Sequence, residues 1–267
     1  MAADGSPAPG RVGPPGGPPR AVLLDALGTL LELVDPFASL ARELAARGAL
    51  VAEGRSRQAL LREMAYYRAH HDEGVDERTL EALRDRCAAV LREALPAPAR
   101  DLPAADVRAA LLAALRFRAF GDVPRTLDVL RAAGARLVVV SNWDVSLHGV
   151  LRETGLAERV DAVLTSAEEG VAKPDPELFA RALARAGGIP AADALHVGDS
   201  LEMDVAGARA AGIAAVLLLR RSHDHAPARP AGVPVITGLA ELLPAASQGR
   251  AAPPGAGHSA RGRWPTF

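Results

Sequence analysis

The chain is poor in three things, and each shortage excludes a class of protein. One of its 267 residues is cysteine, Cys87, so neither an intramolecular disulfide framework nor a multi-cysteine zinc site is available. Long apolar runs are missing. Stretches such as Arg136-Leu-Val-Val-Val-Ser141 and Ala214-Ala-Val-Leu-Leu-Leu219 fall far short of the roughly 20 residues a membrane-spanning helix needs. Surplus charge is missing too: 31 basic residues against 32 acidic ones leave a formal net charge of −1. That balance provides no electrostatic drive towards nucleic acid or an anionic membrane. The Pro/Gly-rich N-terminus has no apolar stretch before a cleavage site, so no secretory signal is expected and a cytoplasmic location is the default.

A fourth scarcity is more pointed. The basic residues are thirty arginines and one lysine, Lys173, and the whole chain holds one asparagine, Asn142. Both amino acids have AA-initial codons, so a GC-rich coding sequence explains the shortage together with the excess of Ala, Arg, Gly and Pro. It does not explain why one of each persists. Their positions become informative once the chain is divided into elements.

Residues 1–20 contain eleven prolines or glycines and almost nothing to bury, and residues 247–267 look alike; both read as disordered arms. The folding part opens with Ala21-Val-Leu-Leu24, a short apolar run that ends at Asp25 and reads as a buried strand. From about 36 to 120 the texture is helical. Apolar residues recur at three- and four-residue spacing over 37–47, 56–70, 76–95 and 104–118, punctuated by Gly48, Gly54, Gly74, Pro96 and Pro98. Beyond Gly121 helices and strands alternate: helices over 124–133, 145–153, 176–186, 205–211 and 239–243, strands over 137–140, 162–164, 194–197, 214–219 and 233–236. Apolar strands with helices between them predict an α/β core with a parallel, doubly wound sheet covered on both faces in three layers. The expected layout is a core of 21–35 and 121–246 with an inserted all-helical cap over 36–120.

In such sheets ligands bind at the carboxyl ends of the strands. Those ends read Asp25, Ser141-Asn142, Thr165-Ser166 and Gly198-Asp199-Ser200, with Lys173-Pro174 in the loop after the third. The lone lysine and the lone asparagine therefore fall at one edge. Each residue taken singly also suits a turn or a cap. Together they suit phosphate chemistry, in which a carboxylate nucleophile needs a cation and hydrogen-bond donors for the anionic group, and a divalent metal to offset repulsion.

The runs Asp25-Ala-Leu-Gly-Thr29, Val140-Ser-Asn142, Lys173-Pro-Asp-Pro-Glu-Leu-Phe179 and Gly198-Asp-Ser-Leu-Glu-Met-Asp204 resemble the four ordered motifs of the haloacid dehalogenase-like hydrolase superfamily. The layout resembles its subfamily with a helical cap after the first strand, and the resemblance covers nearly all of 21–246. It implies a Rossmann-like core and a Mg²⁺-dependent phosphatase-type hydrolase acting on a small phosphorylated molecule. It casts Asp25 as the nucleophile that forms an aspartyl intermediate, with Thr29 supporting the loop beside it. Ser141, with Asn142 beyond it, would hold the phosphoryl group, and Lys173 would neutralise nucleophile and phosphate. Asp25, the Leu27 backbone carbonyl and Asp199 would bind the metal, with Asp204 orienting its shell or Lys173. A compact ammonium is poorly replaced by a planar guanidinium, which accounts for the one lysine.

Leu27 departs from the pattern. Phosphatases of the superfamily usually carry a second Asp there, which protonates the leaving alkoxide and then activates water. Three readings follow: a phosphatase limited to good leaving groups or borrowing an acid from its cap, a 2-haloacid dehalogenase, and a weakly catalytic binding protein. Dehalogenases of the superfamily need no metal and lack the Gly-Asp-Ser-x₃-Asp pattern, and carboxylates crowded about one lysine call for a divalent ion, so the first reading is favoured.

Other residues read as follows. Tyr66, Tyr67, His70 and His71 form a cap-helix cluster in which each Tyr/His pair shares a face. That cluster is expected to pack or face solvent, and a histidine looking into the site would instead supply the missing acid. His196 reads as a core histidine, and His223 and His225 as loop residues. Trp143 either walls the pocket or packs under a helix start capped by Asp144. Cys87 reads as a small buried residue, and Arg55 and Arg57 as solvated surface. The expected partner is a small phosphorylated molecule, with no nucleic acid and no membrane, and the protein is a monomer or a homodimer.

Overall fold

The computed structural model describes residues 17–220 and 232–244. Most of the expected N-terminal arm, the whole C-terminal tail, His223 and His225 lie outside the described residues.

The chain begins with strand β1 (Ala21–Leu24) and a short β2 (Leu31–Leu33), then passes into four helices: α1 (Pro36–Ala46), α2 (Glu53–His70), α3 (Glu77–Ala94) and α4 (Ala104–Ala114). It returns through β3 (Phe117–Ala119). The remainder runs α5 (Val123–Ala132), β4 (Arg136–Ser141), α6 (Leu147–Glu153), β5 (Ala162–Thr165), α7 (Ser166–Glu169), α8 (Pro176–Arg185), β6 (Ala194–Gly198), α9 (Gly207–Ala210), β7 (Ala214–Leu218) and β8 (Val235–Ile236). The main sheet has the order β5-β4-β1-β6-β7-β8, and every neighbouring pair is parallel. β1 is buried at all four positions because it lies mid-sheet with helices over both faces, which is why its sequence is uniformly apolar.

Two apolar layers flank the sheet. On one side Val22, Leu24, Val139 and Val197 pack with Leu127 of α5 and Leu151 of α6. On the other, Leu23, Val138 and Val140 pack with Phe179 and Leu183 of α8. The fold is thus a three-layer α/β core. The four inserted helices have an apolar cluster of their own, drawing Leu40 and Leu44 from α1, Leu60 from α2, Leu91 from α3 and Leu111 from α4. Local chemistry sets the start of one of these helices. Asp76 accepts from the Thr79 N–H while Thr79 Oγ1 accepts from the Asp76 N–H, a reciprocal cap that sets the start of α3.

Four elements differ from the sequence reading. The helix expected to reach residue 118 stops at Ala114, and Phe117–Ala119 instead pairs antiparallel with Leu31–Leu33. Long-range pairing overrides local spacing here: Arg118 donates twice to Glu32 on the facing strand. The expected helix at 145 begins at Leu147, because Asp144 Oδ1 accepts from the Ser146 N–H and makes a local turn. The expected helix at 205 is preceded by a wide π turn over Leu201–Ala206. The segment after β8 is one turn of 3₁₀ helix, Leu239–Leu242. Among the described residues no helix is long and apolar enough to cross a membrane.

Candidate active site

Register brings the polar strand ends together. Leu24 stands opposite both Val139 and Val197, and Ser141 opposite Thr165. Asp25 is therefore level with Val140 and Gly198, one step short of Ser141 and Asp199. The chain runs outward from β1 through β4 to β5, then crosses back to continue through β6, β7 and β8. That change of direction opens a crevice at the strands' carboxyl ends. A cavity of about 660 Å³ lies there, between the sheet edge and the helical cap.

Lys173 is at its floor, 4% exposed. Its Nζ donates to Asp25 Oδ1 at 2.6 Å and to Asp204 Oδ1 at 2.7 Å. Ser141 Oγ donates to the same Asp25 oxygen at 3.2 Å. Asn142 holds the lysine's backbone from both sides: its Nδ2 donates to the Lys173 carbonyl at 2.9 Å, and its Oδ1 accepts from the Lys173 N–H at 2.8 Å. The amide presents a donor and an acceptor on separate atoms of one planar group, whereas the carboxylate of Asp, which is plentiful in this chain, can only accept. The one asparagine and the one lysine are thus hydrogen-bonded partners.

Asp204 is the best supported of the carboxylates. His196 Nε2 lies 3.0 Å from its Oδ1, and the Ser200 N–H donates to its Oδ2 at 3.0 Å. His196 does sit in the core, edge-on to Phe179 with ring centroids 5.0 Å apart, but it also faces this carboxylate, a role the sequence reading lacked. Facing a carboxylate, Nε2 carries the proton. The π turn after Ser200 is what swings Asp204 back under β6. Gly198 is required beside it, since a Cβ at that position would collide with the Asp204 carboxyl group.

Asp25, Asp199 and Asp204 bring oxygens within 4.8 Å of one another. Gly28 shapes this approach: its φ is +82°, and a Cβ there would run into the Asp199 carboxylate. The charges respond accordingly. Burial pushes the Asp25 carboxyl above its usual range, Lys173 only partly offsetting it and Asp204 adding to it. Asp199 is pushed up to about 8 by burial, then by repulsion from Asp25 and Asp204. Burial works against ionised Asp204 as well, but Lys173 and the His196 hydrogen bond outweigh it and hold that carboxyl well below the usual range. Burial likewise opposes the Lys173 ammonium, and the attraction of Asp204 and Asp25 more than restores it. Two carboxyl groups thus resist ionising beside a third that is already charged. An all-oxygen set in this condition suits a hard divalent cation.

The remaining sequence candidates fall in several places. Leu27 lines the cavity beside Asp25 and packs against both the core and the cap clusters. Thr29 is buried outside the cavity wall, its Oγ1 without a hydrogen-bond partner. Trp143 both lines the cavity and packs against Phe117, ring centroids 5.2 Å apart. His70 stacks on Tyr66 away from the cavity, whereas His71 lines it. Arg57 lies over the Phe37 ring, and Cys87 is buried in the cap.

The cap is tied to the core beside this site. Tyr67 Oη donates to Asp144 Oδ2 at 2.9 Å, and the Val145 N–H donates to the Gly74 carbonyl at 2.9 Å. Gly74 lies close enough that a Cβ would sit 2.7 Å from Asp144 Cβ. Burial, reinforced by Asp144, holds the Tyr67 phenol well above its usual range. Tyr67→Phe is expected to cost about 1–2 kcal/mol in urea unfolding, since it strands a buried acceptor. Unchanged stability would show that the cap is held elsewhere.

The haloacid dehalogenase-like hydrolase family model matches residues 19–212. The chain is 42% identical over 123 residues to haloacid dehalogenase-like hydrolase domain-containing protein 3 of Bos taurus, covering 45% of this chain and 48% of that protein. It is 36% identical over 145 residues to a phosphoserine phosphatase of Thermus thermophilus, covering 52% of this chain and 56% of that one. The chain spans about half the length of the curated relatives it matches. Among solved structures, the HAD-hydrolase YfnB of Bacillus subtilis, bound to magnesium, superposes with a TM-score of 0.61 at 22% identity, covering 85% of this chain and 97% of that one. A HAD phosphatase from Thermococcus onnurineus gives 0.56 at 23%, covering 84% and 95%. The extent of the family match, over a three-layer core whose strand ends gather Asp25, Ser141, Lys173 and Asp204, makes this chain a member of the haloacid dehalogenase-like hydrolases.

Proposed function

We propose that this hydrolase is a Mg²⁺-dependent phosphatase, cytoplasmic, acting on a small phosphorylated molecule through an aspartyl-phosphate on Asp25. The observation that carries the reading is Lys173, buried and bonded to both Asp25 and Asp204, beside a three-carboxylate cluster suited to a cation. Asp25, the Leu27 carbonyl and Asp199 would hold the metal, with Asp204 ordering its surroundings. Neutralisation of charge between Asp25 and the phosphoryl oxygens is what a divalent cation supplies there when bound. The chain's own residues do the rest. Ser141 and Lys173 fix the Asp25 carboxylate and meet the phosphoryl oxygens, Asn142 holds Lys173 in place, and the cap with Trp143 encloses the substrate and limits water. A 2-haloacid dehalogenase is disfavoured because three crowded carboxylates serve no purpose when the leaving group is halide and no metal takes part.

Product analysis tests this directly. With aryl, acyl and sugar phosphates and a 2-haloacid offered in parallel, free phosphate should appear only when Mg²⁺ is present. Metal-independent release of halide would overturn the proposal.

Leu27 shapes the selectivity. It puts no acid on the β1 loop, so the proton for a poor leaving group must come from elsewhere in the site; with no donor at all, aryl and acyl phosphates would steeply outrun alkyl ones. Leu27→Asp should raise the alkyl-to-aryl rate ratio only to the extent that no other group already donates the proton, up to a ceiling of about 10²-fold, the low end of general acid catalysis. The ratio is the proper measure, because the new carboxylate also disturbs Asp25 and removes apolar packing. A ratio that does not move would show that the β1 loop has no part in proton transfer.

A further inference from the structure

We propose that Glu63, on cap helix α2, is the general acid–base residue that replaces the one missing at Leu27; this rests on the phosphatase reading above. α2 and its C-cap residue present Glu63, Tyr67 and His71 at four-residue spacing, and all three line the cavity that contains Asp25 and Leu27. Two of the three are engaged. Tyr67 is bonded to Asp144, while His71 Nδ1 faces Asp72 and Ser166. Glu63 is 3% exposed, and its neighbour is the Cys87 thiol of α3. The other carboxyl groups on the cavity wall have different duties or positions: Asp25, Asp199 and Asp204 form the Lys173 cluster, Asp144 accepts from Tyr67 and from Ser146, and Glu77 and Glu153 are exposed at the rim. Among the described residues, Glu63 is therefore the buried acid on the cavity wall whose partner is only the weakly bonding Cys87 thiol, which leaves a carboxyl oxygen to exchange a proton with substrate.

Its chemistry fits the task. Burial pushes the Glu63 carboxyl up to about 7, the Cys87 hydrogen bond acting the other way, so it holds a proton near neutral pH and can release it. Burial also raises the Cys87 thiol, with Glu63 adding to it, so Cys87 stays protonated and does not compete. The other charged or titratable groups around the cavity are Tyr67 and Arg68 on the same helix, His71 just after it, Glu77 and Arg84 on α3, Asp144, Arg152 and Glu153 from the β4–α6 side, and Asp25, Lys173, Asp199 and Asp204 on its floor.

In the first half-reaction Asp25 bonds to phosphorus as the bond to the leaving oxygen breaks. The electron pair stays on that oxygen, which takes the Glu63 proton. In the second half the Glu63 carboxylate takes a proton from the attacking water, and the water oxygen bonds to phosphorus. The Asp25–phosphorus bond breaks with its electrons returning to Asp25, phosphate departs, and Glu63 is protonated again.

The test uses the full chain with Mg²⁺ and two probes, p-nitrophenyl phosphate, whose leaving group needs no proton, and phenyl phosphate, whose leaving group benefits from one. Glu63→Gln keeps the side chain's shape. It should lower kcat for phenyl phosphate about 10²-fold and change p-nitrophenyl phosphate much less in the phosphorylation step, read as the burst of nitrophenolate. Wild-type phenyl phosphate turnover should also fall as pH rises through about 7, a limb missing from the nitrophenolate burst, and this comparison decides the matter even if the variant folds poorly. Equal slowing of both probes, or none, overturns the assignment while leaving the phosphatase intact. No phosphate released from either probe by wild type overturns both.

Discussion

Lys173→Arg should lower kcat by about 10²–10³-fold, the usual cost of removing one preorganised electrostatic contact. The ammonium reaches Asp25 and Asp204 over 2.6 and 2.7 Å in a buried slot. A guanidinium is broader, planar and more weakly hydrated, and it cannot place one compact charge between two carboxylates at these distances. Lys173→Met is the harsher change, because Asp25 and Asp204 would remain buried with no cation between them. Breaking a buried pair in this way costs about 3–5 kcal/mol, read by urea unfolding at neutral pH without metal. The cost should shrink as pH falls, since protonation relieves the repulsion between the two carboxyl groups. Turnover near wild type in the arginine variant would remove Lys173 from the site.

Mg²⁺ should raise the Tm of the wild-type protein by roughly 5–10 °C. At 100 times its Kd, a ligand that binds only the folded state contributes about 2.7 kcal/mol, and a chain of this size gains about 2–4 °C per kcal/mol. The increase should depend on pH. Asp199, pushed up to about 8, keeps its proton in the metal-free folded state between about pH 4 and 8, where the unfolded chain has already released it. The folded state binds more protons across that window, so metal-free stability declines as pH rises through it. The cation must displace that proton, so its effect on Tm should grow from pH 6 to pH 9. Asp199→Asn should flatten the metal-free decline and reduce the Mg²⁺ response. A Tm indifferent to millimolar Mg²⁺ at pH 8 would argue against a metal at this cluster.

Local pattern was enough to place the strand ends. The apolar β1, β4 and β6 must be buried on both faces, so the polar residues that follow each must emerge at one edge, and Asp25, Ser141, Asn142 and Asp199 could be set there by counting. Scarcity supplied a second signal. A composition that suppresses Lys and Asn exposes the two positions where no other side chain has the right shape and donors, and these prove to be hydrogen-bonded to each other.

Other features depended on contacts between distant segments. The β2–β3 pair forms because two three-residue segments separated by the whole cap meet, and neither carries enough local information to be a strand alone. Asp204 lies under Lys173 only because a π turn redirects the chain after Ser200, and a wide turn looks like helix in any periodicity count. His196 has the pattern of a core residue and is one, yet its Nε2 also meets Asp204. Glu63 shows the limit most clearly. The sequence puts Tyr67 and His71 on one face of α2, and stepping back four residues reaches Glu63, but helical spacing cannot say which face looks into the cleft. That was decided by how the cap docks on the core, through Tyr67, Asp144 and Gly74. Periodicity along the chain determines which residues share a face; what that face meets is set by packing between segments far apart in sequence.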